Sequence, residues 1–213
     1  MRASALFAGL GEADFELIHR PIDQLVYPPG TPIYSAGDPA AALFTIRKGL
    51  VKLIQYLPDG TQRIVRLMRR ADLIGLEAMV GETYQHTVVP LHPTELCRLP
   101  VEVVKRLSQS NPQLFHELMA RWHRALADAD RSITELSTGP ARHRVIRLLL
   151  WLIETSDDDR CDLFSREDLG AILGLTTETA SRIMAELKRQ GYISEPRPNQ
   201  ILCDVPNLKR LLD

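Results

Sequence analysis

The chain has 213 residues, 45% of them hydrophobic and 25% charged, with a formal net charge of −1. That length holds two modest domains, and the composition is ordinary for a globular protein. A global basic field is excluded, and so is a bilayer-spanning helix, because the longest apolar run is Leu148–Ile153.

The amino terminus lacks the basic-then-apolar pattern of a secretion signal, so a cytoplasmic protein is expected. Cys97, Cys161 and Cys203 are widely spaced, without a CxxC pair or a Cys/His ligand spacing. They read as reduced, core-filling thiols, and no metal site is expected.

In chain order, Ala13–Arg20 reads as a short amphipathic helix. From about Gln24, short β-branched and apolar runs alternate with turn signals at Pro28-Pro29-Gly30, Ala36-Gly37-Asp38-Pro39, Lys48-Gly49 and Pro58-Asp59-Gly60. Strands are predicted at Leu43–Arg47, Leu50–Tyr56, Arg63–Met68 and Thr94–Leu99. In the third, Ile64 and Val65 are expected to point inward, with Arg63 and Arg66 outward. Many short strands so spaced predict a sandwich or barrel, plausibly a jelly roll, over 1–110. An enzyme of the cupin kind would need clustered His and carboxylate ligands. Only His86 and His92 lie near one another, and no nucleophile elbow, P-loop or carboxylate pair occurs, so no catalytic residue is assigned.

Asn111-Pro112 opens a helix that runs free of Gly and Pro to about Ser137. Leu118, Trp122, Ala125, Ala129, Ser132 and Leu136 follow alternating four- and three-residue spacing, a heptad seam for a second copy of the chain. Leu126 and Ile133 form a second stripe, expected to pack on the β-module. Thr138-Gly139-Pro140 reads as a hinge, so 111–138 is predicted as a dimerisation helix.

The remainder, 139–213, reads as a winged helix-turn-helix. Ala141–Glu154 is its first helix and Asp157-Asp158-Asp159 a solvated loop, with Cys161–Phe164 a short strand. Ser165 caps a helix over Arg166–Leu173, Gly174 breaks it, and Thr176 caps a second helix running to about Gln190. Gly170 is small where the two helices must approach. Ala180, Ile183, Met184 and Leu187 share one face, while Glu178, Ser181, Arg182 and Ala185 share the other. An exposed Glu, Ser and Arg early on a second helix is what reading base edges in a major groove requires. Tyr192-Ile193 and Ile201-Leu202 flank Pro196-Arg197-Pro198-Asn199 as a wing, and Pro206–Leu212 closes the domain as a helix. Thr177, Arg142, Arg144, Lys188, Arg189 and Arg197 are the expected phosphate contacts.

This order of parts resembles the CRP/FNR regulators of bacterial transcription. The run Leu175-Thr176-Thr177-Glu178-Thr179-Ala180-Ser181-Arg182 carries the resemblance most specifically. It is similar to the FNR branch, which has Glu, Ser and Arg at these positions. The cAMP-receptor branch has Arg where Thr177 stands and Gly where Ser181 stands. The resemblance implies an α+β fold with a cyclic-nucleotide-binding-like β-roll (jelly roll), a long dimerisation helix and a winged helix-turn-helix. It further implies a homodimer that reads a TTGAT-like palindrome in double-stranded DNA, and contact of the Pro58–Gly60 tip with RNA polymerase.

The resemblance places the effector pocket at Gly75, Leu76, Glu77, His86 and Thr87. Leu76 stands at the family's ribose-binding Glu, and His86-Thr87 stands at its phosphate-binding Arg pair. A leucine holds no ribose hydroxyl, and a neutral His is a weak substitute for a bidentate Arg, so cAMP is not expected. No cysteine cluster precedes Cys97, which argues against an iron–sulfur cluster. The ligand pair of the carbon-monoxide-sensing haem member is absent at Gly75 and Glu77, while haem with nitric oxide, a redox change at Cys97, Cys161 or Cys203, an anion held by His86, or no effector at all stays open. The alternative to a regulator is a cyclic-nucleotide or small-molecule-binding module that acts through protein contacts.

Overall fold

A computed structural model describes residues 23–154 and 159–212. The helix expected at Ala13–Arg20, and Asp157 and Asp158 of the acidic loop, lie outside the described residues.

The amino-terminal unit is a roll of short antiparallel strands. β1 (Asp23–Tyr27), β2 (Ala42–Lys48), β5 (Leu73–Ile74) and β7 (Thr94–Pro100) form one sheet in the order β1-β7-β2-β5. β3 (Val51–Tyr56), β4 (Gln62–Met68) and β6 (Thr87–Pro90) form the second, with β3 central. Tyr34, Phe44, Ile46, Val51, Leu53, Met68, Val88 and Leu96 fill one core cluster. The Tyr34 and Tyr84 rings stack at 3.8 Å between centroids, and the Tyr84 hydroxyl donates to the Ala42 carbonyl at 2.7 Å. Gly49 allows a close approach that no other residue could make: at φ 103° its Cβ would fall 2.8 Å from the Pro93 carbonyl.

In strand β4, Ile64 is buried and Val65 packs, partly buried, against the core cluster that contains Met68, as expected for both. Arg63 and Arg66, expected to point outward, are half-buried, and the Arg66 charge is felt by both Tyr34 and His86.

Helix α1 (Val101–Ser110) follows β7, and α2 (Pro112–Arg131) continues into a π-helical turn over Ser132–Leu136. The Asn111 side chain accepts from the Gln113 and Leu114 amides and caps α2. Leu114 and Leu118 sit in a second core cluster with Leu43, Leu73, Leu99 and Leu107. The buried Arg121 donates to the Ala71 carbonyl at 2.7 Å, pinning the helix to the turn before β5.

The phase of α2 corrects the expected place of three residues. Leu126 and Ile133, assigned to the β-module, are 58% and 61% exposed, while Leu118, assigned to the seam, is 1% exposed. Leu114, Leu118 and Arg121 set the inward face, and the predicted line from Leu118 to Leu136 runs along the boundary between that face and the open one. The exposed large side chains are Phe115, Met119, Trp122, Leu126 and Ile133, with the half-buried Ala129 in line with them. This line has the same alternation of four and three, and it shares only Trp122 and Ala129 with the predicted seam.

The carboxy-terminal unit holds α3 (Ala141–Ile153), β8 (Arg160–Asp162), α4 (Arg166–Leu173), α5 (Thr177–Arg189), β9 (Ile193–Arg197), β10 (Gln200–Cys203) and α6 (Val205–Arg210). Its sheet has the order β8-β10-β9. Val145, Ile146, Leu148, Leu149, Leu169, Leu173, Ala180, Leu187 and Leu208 are all buried. The wing tip is shorter than expected. β9 extends through Pro196 and Arg197, leaving Pro198-Asn199 as the turn, with Asn199 at φ 61°.

Replacing Leu118 with Ala should cost about 2–5 kcal/mol of unfolding free energy, as for other buried leucines. Thermal or urea unfolding checks this, and the loss should not depend on protein concentration.

Candidate nucleic-acid interface

The helix pair is built as its sequence dictates. The Ser165 hydroxyl accepts from the Asp168 amide at 3.0 Å and donates to the Asp168 carboxylate at 2.9 Å. Gly174 ends α4 in the left-handed region at φ 62°. The Thr176 hydroxyl then accepts from the Thr179 amide at 3.2 Å, starting α5. At Gly170 an added Cβ would stand 2.6 Å from the Leu175 carbonyl oxygen, and the Leu175 amide donates to the Gly170 carbonyl at 3.0 Å. The turn between the helices is therefore pressed against the backbone of α4.

That approach fixes how α5 is presented. Ala180, Ile183, Met184 and Leu187 are buried. Thr177, Glu178, Arg182 and Ala185 are exposed and Ser181 half-buried. Among the described residues, Glu178, Ser181 and Arg182 have no hydrogen-bond or ion-pair partner, so their polar groups are free to meet a ligand. The basic residues divide. Arg189 and Arg197 are exposed, Arg197 on the wing. Lys188 is tied to Glu195 at 3.1 Å, which holds that exposed carboxyl below its ordinary range.

Two predicted phosphate contacts are committed elsewhere. Arg144 donates to the Leu173 carbonyl at 2.6 Å, capping the end of α4. Arg142 donates to Gln190 at 2.7 Å, pairs with Glu186 at 3.5 Å, and lies 5.9 Å from the centre of the Tyr192 ring. Both are structural braces. Sequence reasoning missed their partners because these come from the far ends of other helices, beyond any local spacing rule.

In the roll, the candidate pocket residues separate in the same way. Gly75 takes φ 79°, and a Cβ there would meet the Ala42 carbonyl at 2.8 Å. Leu76 packs in the core with Leu43 and Leu99, so it lines no pocket. Its apolar side chain turns inward once Gly75 reverses the chain. Thr87 accepts from the Ala36 amide at 3.1 Å. Glu77 accepts from the Gln85 amide at 3.4 Å and lies 4.0 Å from His86 Nδ1, a buried atom with no hydrogen bond. Burial, then the Arg66 charge, lowers the His86 pKa against an opposing pull from Glu77. Arg66, expected to point outward, is half-buried and near enough for its charge to act on His86. Among the described residues no cluster of His, Cys, Asp and Glu could hold a metal ion, and no helix is long and apolar enough to cross a membrane.

Comparison with known proteins agrees with both halves. Residues 24–111 match the model of the cyclic nucleotide-binding domain, and residues 143–211 match that of the Crp-like helix-turn-helix domain. The cyclic AMP receptor protein of Thermus thermophilus is 30% identical over 91% of this chain and 89% of its own length. The chain belongs to the CRP/FNR family of transcription regulators. The transcriptional activator protein anr of Pseudomonas aeruginosa is 30% identical over 76% of this chain and 69% of its own. The structure of FixK2 from Bradyrhizobium japonicum matches with a TM-score of 0.82 and 25% identity, covering 89% of this chain and 96% of that one. This CRP/FNR regulator thus pairs a cyclic-nucleotide-binding-type roll with a DNA-binding helix-turn-helix, and its relatives are regulators, not enzymes. At the positions where the resemblance places the effector pocket, Leu76 is core, Glu77 accepts from the Gln85 amide, and burial lowers the His86 pKa.

Two outcomes follow from this geometry. Gly170→Ala should lower stability by about 1–3 kcal/mol through overpacking, although Ala is the better helix former; a higher melting temperature would contradict the close approach. Because the folded His86 pKa lies below its unfolded value near 6.5, the unfolded chain takes up the proton first as pH falls. His86 therefore contributes stability that is present above about pH 6.5 and lost below it. His86→Gln should flatten that part of a stability–pH profile.

Proposed function

We propose that this regulator acts as a homodimer that reads a TTGAT-like palindrome, and that the free polar face of α5 carries the reading. Arg182 forks onto the guanine, Glu178 accepts from the cytosine paired with it, and Ser181 meets a neighbouring thymine. Thr177, Lys188, Arg189 and Arg197 hold phosphates and set the register. The functional division is 1–110 for sensing, 111–138 for pairing and 139–213 for DNA.

The second copy docks on the line Phe115, Met119, Trp122, Leu126, Ala129 and Ile133. A heptad line of large apolar side chains around one small residue suits an identical helix related by a twofold axis. Two α5 helices about 34 Å apart then enter successive major grooves. An effector in the roll acts by favouring one arrangement of the pair. The Arg66 charge near His86 and the unbonded His86 Nδ1 favour a small anion over a cyclic nucleotide. The exposed Tyr56 and Leu57, beside the turn closed by the Gly60 amide on the Leu57 carbonyl, are the surface assigned to RNA polymerase. Such work belongs in the cytoplasm, where the DNA lies.

Arg182→Ala should cost about 1–3 kcal/mol of binding to a labelled TTGAT palindrome and relax preference at the guanine. Anisotropy titration against single-base variants checks it, and unchanged affinity and selectivity would remove Arg182 from the reading set. Leu126→Asp should give a folded monomer by light scattering, whereas Leu136→Asp should leave more dimer.

A further inference from the structure

Cys161 and Cys203 are far apart in sequence but adjacent in the sheet. Cys161 faces Ile201 across the β8–β10 ladder, and Cys203 lies two residues further along β10. Both point to the buried side of their strands. The ladder continues past them, with the Cys203 amide donating to the Asp159 carbonyl at 3.0 Å. Their mutual proximity and burial push the Cys161 pKa up, while the neighbouring Cys161 draws the Cys203 pKa down against the cost of burial. Cys97 stands apart in the other unit, opposite Gln24 and Thr45.

β8 is an edge strand of three residues, so little ladder has to open to admit a reagent. Diagonal neighbours in an antiparallel pair lie roughly 7–8 Å apart at Cα. A disulfide wants about 4.4–6.8 Å. Closure therefore draws β8 toward β10 by about 1 Å. The segment that moves leads into the helix pair: the Leu163 amide donates to the Asn199 carbonyl of the wing turn, and Ser165 caps α4.

We propose that Cys161 and Cys203 form a thiol-redox site that closes on reaction with a low-molecular-weight disulfide and thereby weakens DNA binding. The second half of this rests on the DNA reading proposed above. The Cys203 thiolate attacks one sulfur of the small disulfide, whose S–S bond breaks and releases one thiol. Cys161 then gives up its proton and attacks the Cys203 sulfur, releasing the second thiol. The protein loses two electrons and two protons, and one disulfide molecule is reduced to two thiols.

The test treats the full-length protein with oxidised glutathione, followed by intact mass, non-reducing peptide mapping and anisotropy with the TTGAT duplex. The expected result is a Cys161–Cys203 linked peptide, a several-fold loss of affinity, and recovery of both on adding dithiothreitol. Cys161→Ser should trap a glutathione adduct on Cys203, and Cys97→Ser should behave as the parent. No linked peptide in the parent, or a link through Cys97, overturns the site. A complete link with unchanged affinity overturns the regulatory half. Failure of the reduced parent to bind any duplex counts against the DNA reading alone, since the peptide map still decides the site.

Discussion

The contact between Gly170 and the Leu175 carbonyl constrains everything downstream of it. Only a residue without Cβ lets the turn lie on the backbone of α4. That approach, with Thr176 as cap, sets the axis and the rotation of α5 together. Rotation is what matters for reading bases: with Ala180, Ile183, Met184 and Leu187 buried, Glu178 and Arg182 stand outward. Arg142 and Arg144 reinforce the same geometry from α3, tying it to Gln190, Glu186 and Leu173 at the ends of the helix pair.

Much of this was legible in the sequence because it is local. Ser165, Gly174 and Thr176 declare caps and a break through their own hydrogen-bonding and backbone preferences, and the structure places each where the pattern puts it. The strands of the roll are marked by turn residues in the same way. The phase of α2 was not legible. Apolar residues cover two flanks of that helix, so several heptad lines satisfy the spacing, and only the docking of Leu114, Leu118 and Arg121 selects one. The reach of Arg66 was hidden for a related reason: Tyr34 and His86, which feel its charge, are distant in sequence. Arg142 and Arg144 looked like free surface charges because their partners are distant in sequence.

The roll matches the cyclic nucleotide-binding domain over residues 24–111. Gly75 reverses the chain as the fold requires, but Leu76 joins the core and the polar groups that remain are Arg66, Glu77, His86, Tyr34 and Tyr84. The output end, by contrast, keeps an unengaged Glu, Ser and Arg on a well-capped helix.

The central claim is that two α5 helices, delivered by a twofold pairing of α2, read two half-sites at once. The most direct measurement is the affinity of the reduced protein for duplexes in which the two TTGAT half-sites are moved apart by five and by ten base pairs. Half a helical turn puts the second site on the opposite side of the duplex. The account predicts that the native spacing binds tightest and that either insertion reduces affinity to that of a single half-site. Affinity indifferent to spacing, or equal for one half-site and two, would contradict it.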